Sequence, residues 1–399
     1  MTMETTRPST TLAQRFSLLG TETAFEVFAR AKALEAQGKS VIHLHIGAPD
    51  FDTPAHIVEA GQKALRDGFH KYTPAAGLPQ LREAVCADFL RHRRVEVDPA
   101  NVLIAPGGKP TMYYAIMMFG EPGAEILYPN PGFPIYESVI NYSGAKGVPI
   151  ELSEENGFSF KAEDVLAKIN PNTRLLIINT PANPTGGVVP RSEFDALVKG
   201  LEEHPHVTIL CDEIYSRLLY DNEEHVSILQ YPSMVDRSII LDGWSKTWAM
   251  TGWRLGYGIW PKHLFAHAER LQINIASCAN AAAQVAAVAA MEGTQEPVEV
   301  MRKAFDRRRR VIHQGLNDIP GISCVLPKGA FYAFPNVREL DLDTRELEHG
   351  LLNEAGVACL SGTSFGAFGA GYMRFSYANS EENILEGLSR VKRWLGERS

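Results

Sequence analysis

Short runs of continuous apolar residues alternate along the chain with longer stretches of helical periodicity. The runs are Val102 to Ala105, Glu125 to Tyr128, Arg174 to Ile178, Val207 to Cys211, Ser238 to Leu241 and Arg254 to Trp260. A short run without polar alternation predicts a strand covered on both faces. Helical spacing marks Glu22 to Gln37, Pro54 to Asp67, Gly77 to Arg91, Pro110 to Phe119 and Arg191 to Glu202. This order predicts an α/β protein with a mostly parallel central sheet under helices. A long helical pattern from Pro297 to Leu316 then changes the style of the chain. Gly321 to Val325, Phe331 to Phe334 and Met373 to Ser376 alternate like antiparallel strands, and Glu381 to Leu395 reads as a closing helix. The expected division is a large domain over 48–297 and a smaller α+β domain over 298–399. Residues 1–47 supply an N-terminal arm and a segment of the small domain.

Composition narrows the function. The 399 residues are 45% hydrophobic and 22% charged, enough for a large globular core. The net charge of −8 disfavours nucleic acid and anionic membranes as partners. The basic run Arg307 to Arg310 reads as a solvated helix face. Five scattered cysteines without a CxxC pair fit a reducing compartment. Met1 to Thr11 is polar and carries no secretory pattern. The longest apolar stretch, Ala281 to Met291, is interrupted by Gln284 and falls far short of the ~20 residues of a membrane span. A soluble cytoplasmic protein is expected.

Several catalytic patterns fail. Gly38-Lys39-Ser40 ends like a phosphate-binding loop, but position 33 is Ala where that loop needs Gly. No G-x-G-x-x-G is present. Gly362 to Gly366 matches G-x-S-x-G, yet no His or Asp follows Ser364, so a triad in that order cannot form. His43 and His45 alternate on a strand without a third metal ligand in register.

Ligands of parallel sheets bind beyond the carboxyl ends of the strands. Lys246 stands just past the run Ser238 to Leu241, where lysine is unusual. Alone, that position also suits a lysine snorkelling from a sheet edge. Its neighbours change the picture. Asn183 follows the run at Leu175, Asp212 and Tyr215 follow Val207 to Cys211, and Arg254 opens the next run. Successive strand ends thus offer Asn, Asp with Tyr, and Lys with Arg to one crevice.

This constellation resembles the class I/II aminotransferases, pyridoxal-phosphate (PLP) enzymes of fold type I, in their bacterial aspartate-aminotransferase-like branch. The resemblance rests on Gly47 to Pro54 (GAPDFDTP), Lys71 to Gly77 (KYTPAAG), Pro106 to Lys109 (PGGK), Asn183 to Gly186 (NPTG), Asp212 to Tyr215 (DEIY), Ser245-Lys246 through Gly256, and Met373 to Tyr377 (MRFSY). Each stretch is weak alone, but they stand in the family's order over nearly the whole chain. The resemblance implies PLP as cofactor, with an L-amino acid and a 2-oxo acid as substrates. Lys246 is then the Schiff-base amine and proton carrier, and Asp212 the partner of the ring nitrogen. Asn183 and Tyr215 meet the phenolic oxygen. Gly108, Lys109, Ser245 and Arg254 gather at the phosphate. Tyr72 reaches the phosphate from a neighbouring subunit, which implies a homodimer with shared sites. Phe133 stacks on the ring where much of the branch has Trp. Arg374 pairs with the substrate's α-carboxylate, assisted by Gly47 and Asn183.

In that branch the G-G-K lysine, here Lys109, lies at the side-chain carboxylate of an acidic substrate, so aspartate- or glutamate-like donors are favoured. The branch usually has small hydroxyl residues near the N-terminal helix. Here Gly20 to Ala24 brings Glu22, which could neutralise Lys109 or favour aromatic, neutral or basic donors. A C–S lyase of the same fold shares the Lys, Asp and Arg set. A regulator carrying this fold behind a DNA-binding domain would need a further N-terminal domain.

Overall fold

The computed structural model describes residues 11–398. Of the arm and segment expected over 1–47, residues 1–10 lie outside the described residues. Twelve strands follow one another: β1 Ile42–His43, β2 Val102–Ala105, β3 Glu125–Asn130, β4 Lys146–Glu151, β5 Thr173–Asn179, β6 Thr208–Asp212, β7 Ser238–Gly243, β8 Gly256–Ile259, β9 Tyr332–Ala333, β10 Val357–Ala358, β11 Leu360–Ser361 and β12 Met373–Ser376.

The central sheet has seven strands in the order β2-β8-β7-β6-β5-β3-β4. Parallel pairing links β4, β3, β5, β6 and β7, while β8 runs antiparallel to both β7 and β2. The apolar runs behave as their composition dictates. In β5, Leu176 and Ile178 enter one core, and Leu175 and Ile177 enter another on the opposite face. In β6 the same split separates Ile209 and Cys211 from Leu210. With both faces covered, the runs beyond Arg174 in β5 and Thr208 in β6 carry no solvent-facing polar position before the strand ends. Each fully buried aliphatic side chain contributes roughly 1.5–3 kcal/mol.

A second core gathers the C-terminal elements. Phe305, Ile312 and Leu316 of the helix Glu296–Asn317 pack with Met373, Phe375 and Trp394, and Ile42 and Leu44 join them. Strand β1 pairs with β10, and β12 lies between β11 and β9. The helix Glu296–Asn317 runs unbroken across the expected boundary at residue 297.

Two expectations need correction, and two elements went unread in the sequence. The run Arg307 to Arg310 is not a solvated face: Arg308 and Arg309 are buried, paired with Asp50 and with Asp306 and Asp221. Gly321 to Val325 forms no strand; between Pro320 and Pro327 it makes one isolated bridge, Ser323 to Asn336. The edge strand β4 escaped the apolar pattern because its sequence, KGVPIE, contains Gly147 and Pro149. Ala281 to Met291 belongs to a helix, Ala281–Glu292, capped by the Asn280 side chain.

The topology has one functional consequence. The carboxyl ends of β2, β3, β5, β6 and β7 reach one edge of the sheet. Because β8 runs the other way, its amino end, preceded by Arg254, arrives at the same edge.

Candidate active site

A cleft of about 500 Å³ opens at that edge. Eleven of the twelve candidate residues line it: Gly47, Gly108, Lys109, Phe133, Asn183, Asp212, Tyr215, Ser245, Lys246, Arg254 and Arg374. Tyr72 does not. It is 88% exposed on the surface of the single chain.

Asp212 ends β6 and is buried at the cleft floor. Its Oδ2 accepts from the Tyr136 hydroxyl at 2.6 Å, and its Oδ1 accepts from the Ile214 N–H at 3.2 Å. No ion pair reaches it among the described residues. Burial pushes its carboxyl up to about 6, against the pull of those two hydrogen bonds.

Lys246 lies in the short helix Trp244–Thr247 directly after β7. Its Nζ donates to the Gly47 carbonyl at 2.6 Å. Desolvation, and then the cations Arg254 and Arg374, lower its pKa to about 8. Gly243 lets β7 and β8 approach here, since a Cβ on it would sit 2.8 Å from the Gly256 Cα.

The corner holding Gly107, Gly108, Ser245 and Arg254 is built for an anion. The helix Lys109–Phe119 starts at the cleft wall, so its positive end faces inward. Gly107 has φ +100°, and a Cβ there would strike the Arg254 guanidinium. Arg254 itself takes a left-handed conformation, φ +53°, and is tied back to the Thr251 carbonyl at 2.9 Å.

Arg374 stands on β12 and is buried. Its Nη1 donates to Asn183 Oδ1 at 2.9 Å, and its Nη2 to the His45 carbonyl. Its Nε finds no partner, and no carboxylate pairs with it among the described residues. Asn183 is placed in turn by Asn179, whose Oδ1 accepts the Asn183 N–H at 3.0 Å. The Tyr215 hydroxyl meets that of Tyr332 at 2.8 Å. On the outer wall Lys109 forms an ion pair with Glu22, and its Nζ lies 5.4 Å from the centre of the Phe133 ring.

Sequence reasoning missed the supports of this site. Tyr136 lies three residues beyond Phe133 and could have been noticed there. Arg93 gave no signal at all, since its partners are remote in sequence. It is wholly buried, donates to Glu213 at 2.7 Å and to Ser216 at 2.8 Å, and pairs with Asp242. It thereby clamps the ends of β6 and β7, the strands that carry Asp212 and lead to Lys246. His45 contributes its backbone carbonyl, which accepts from Arg374. No cluster of metal ligands occurs among the described residues, and none of their helices is long and apolar enough to cross a membrane.

This assembly of lysine, buried carboxylate, anion corner and buried arginine has close counterparts. Residues 39–391 match the family model of aminotransferase class I and II. The chain is 38% identical to the aspartate aminotransferase of Geobacillus stearothermophilus, over 97% of this chain and 100% of that one. It is 35% identical to aromatic-amino-acid aminotransferase 2 of Thermococcus litoralis, over 97% and 99%. Its fold matches the Thermus thermophilus aspartate aminotransferase solved with maleate, at a TM-score of 0.92 and 34% identity over 96% of this chain and 100% of that one. The chain belongs to the class I and II aminotransferase family, on the type I fold of PLP-dependent transferases. It is a PLP-dependent transaminase.

The residues present fit that cofactor. Asp212 is a buried acid without a cation, which suits a protonated ring nitrogen. The Gly107-Arg254 corner suits a phosphate, and Lys246 offers an amine that is partly neutral near pH 8.

Proposed function

We propose that this cleft moves an amino group between an L-amino acid with an acidic, aspartate- or glutamate-like side chain and a 2-oxo acid, in ping-pong fashion. The observation that carries the reading is a pair of buried, unmatched charges, Asp212 and Arg374, lining one cleft with Lys246. Bound PLP supplies an electron sink for the bonds at the substrate Cα.

The chain's own groups do the rest. Asp212 keeps the proton on the ring nitrogen, and Tyr136 holds the carboxylate in place. Backbone N–H groups at Gly108 and Lys109, with Ser245 and Arg254, hold the phosphate. Phe133 would offer its face to the ring, and Tyr215 and Asn183 would be the donors for its phenolic oxygen. Lys246 Nζ anchors the cofactor. Freed from that role, Nζ would be the base that takes the proton from the substrate Cα and the acid that gives it back. Its lowered pKa supplies the free amine this needs at neutral to mildly alkaline pH. Arg374 satisfies its open donors on the α-carboxylate, with Asn183 and the Gly47 backbone beside it.

Lys109 reads the distal carboxylate. The relative solved with maleate, a dicarboxylate, supports this assignment. A second reading, uncharged or aromatic donors, draws on the Glu22–Lys109 pair and on apolar lining such as Phe25, Ile46 and Phe365. The protein works as a cytoplasmic homodimer in which Tyr72 completes the partner's phosphate site. Residues 48–297 form the cofactor domain, and 298–399 form the small domain together with part of 1–47.

The test is a panel of donors against 2-oxoglutarate and pyruvate. Aspartate and glutamate should lead. With a donor alone, the reaction should stop at one turnover per site; continuous release of ammonia would indicate a lyase instead.

A further inference from the structure

Glu22, the ion-pair partner of Lys109, holds no role in the proton and cofactor chemistry proposed above. Glu22 immediately precedes the helix Thr23–Ala36, yet its side chain makes no cap to that helix. It reaches instead to Lys109, 87 positions along the chain. The Glu22 side chain is only 16% exposed and lines the cleft with Lys109 and Phe133. Its negative charge is felt at Lys246, Arg374 and Tyr332, so it stands in the field of the reacting groups.

A distal carboxylate that comes to Lys109 therefore finds the ammonium occupied. Two carboxylates on one cation repel each other, which favours the departure of one. Glu22 is able to leave. It sits on a connecting segment, and Lys109 is 47% exposed, so the pair is of the weak, solvent-screened kind. An uncharged side chain meets the pair closed, as a wall without net charge over the Phe133 face.

We propose that Glu22 is a specificity-determining residue, a built-in competitor for Lys109 that is displaced by acidic substrates and stays closed against uncharged ones. It rests on the reading of Lys109 as the receptor of the distal carboxylate. The single cleft then accepts both donor classes, and Glu22 lowers its preference for the acidic one.

Half-reactions of the PLP-loaded enzyme with donor alone test this, because no acidic oxo acid is added as acceptor to compete for Lys109. The quantity read is the ratio of second-order rate constants for aspartate over phenylalanine. Glu22→Gln should raise this ratio by about tenfold, the scale of one charge-assisted contact. In a Lys109→Ala background the same change should leave the ratio nearly fixed. An unchanged ratio with Glu22→Gln overturns the proposal, as does an equal rise without Lys109. Faster reaction of lysine than of aspartate, lost in Glu22→Gln, would make Glu22 a receptor for cations and also overturn it. The underlying reading fails separately. If Lys109→Ala alone leaves the ratio where it was, Lys109 does not read the carboxylate and the competitor role falls with it. If Lys109→Ala lowers the ratio while Glu22→Gln does nothing, only the competitor role is lost.

Discussion

The Tyr136 hydroxyl donates to Asp212 Oδ2 at 2.6 Å, and both groups are buried. This bond and that from the Ile214 N–H are the hydrogen bonds the Asp212 carboxylate accepts among the described residues. Two neighbouring acids, Asp242 and Glu213, push the other way. The floor of the cleft is thus short of one positive charge, and a protonated ring nitrogen supplies it.

Asp212→Asn removes the charge that holds that proton. It should weaken PLP binding and cut turnover by about a hundredfold or more, the scale of general acid–base and electrostatic contributions. Asp221→Asn is the control. Asp221 is 43% exposed, pairs with the buried Arg309 and the exposed Arg310, and does not line the cleft. Its loss should leave turnover within about twofold. Equal losses from the two substitutions, measured by cofactor titration and initial rates, would refute the role of Asp212.

Much of this was legible in the chain because strands buried on both faces write themselves as apolar runs. β2, β7 and β12 stand where Val102, Ser238 and Met373 begin their runs. The chemistry sits at the ends of those runs, so Asp212 and Lys246 could be found from the same pattern. The rest was hidden for definite reasons. An edge strand such as β4 needs less apolar sequence. The clamp at Arg93 depends on residues 120 and 149 positions away, and only the folded chain brings them together. Glu22 was suspect for its charge, but its pairing with Lys109 needed the geometry.

Arg374 offers a planar, buried fork with one nitrogen open. Arg374→Leu should raise KM for every amino acid donor alike, by about tenfold to a hundredfold. Arg374→Lys should recover little, because an ammonium cannot span both carboxylate oxygens while holding Asn183. KM series for aspartate, alanine and phenylalanine check this. A loss confined to aspartate would place Arg374 at the side chain instead.

Tyr72 is 88% exposed, far outside what a buried phosphate ligand shows within its own chain. If it serves the partner, damage should be complemented. Mixing Lys246→Ala chains with Tyr72→Phe chains should create hybrid dimers with one intact site, built from Lys246 of one protomer and Tyr72 of the other. The mixture should bind PLP at such sites with unmodified affinity. Mixtures no better than the Tyr72→Phe parent would sink the shared site.

Lys246 predicts how the cofactor-free protein responds to pH. Its pKa falls from the ordinary 10.5 to about 8, first through burial and then through Arg254. The folded state therefore disfavours the charged amine. Below pH 8 the ammonium is present in both states, and folding bears its full cost. Between about 8 and 10.5 the folded protein releases the proton before the unfolded chain does, and stability rises through that window. Above 10.5 both states are neutral and the cost is gone. Lys246→Met keeps the volume without the charge. It should stabilise the PLP-free protein at pH 7 by up to about 3 kcal/mol. The gain should shrink steadily as pH climbs past 8. Denaturant unfolding of both proteins across that range measures the difference directly. A gain that is absent at pH 7, or that stays constant to pH 10.5, means that Lys246 carries no such burial cost, and its role as a free amine near neutrality would need another source.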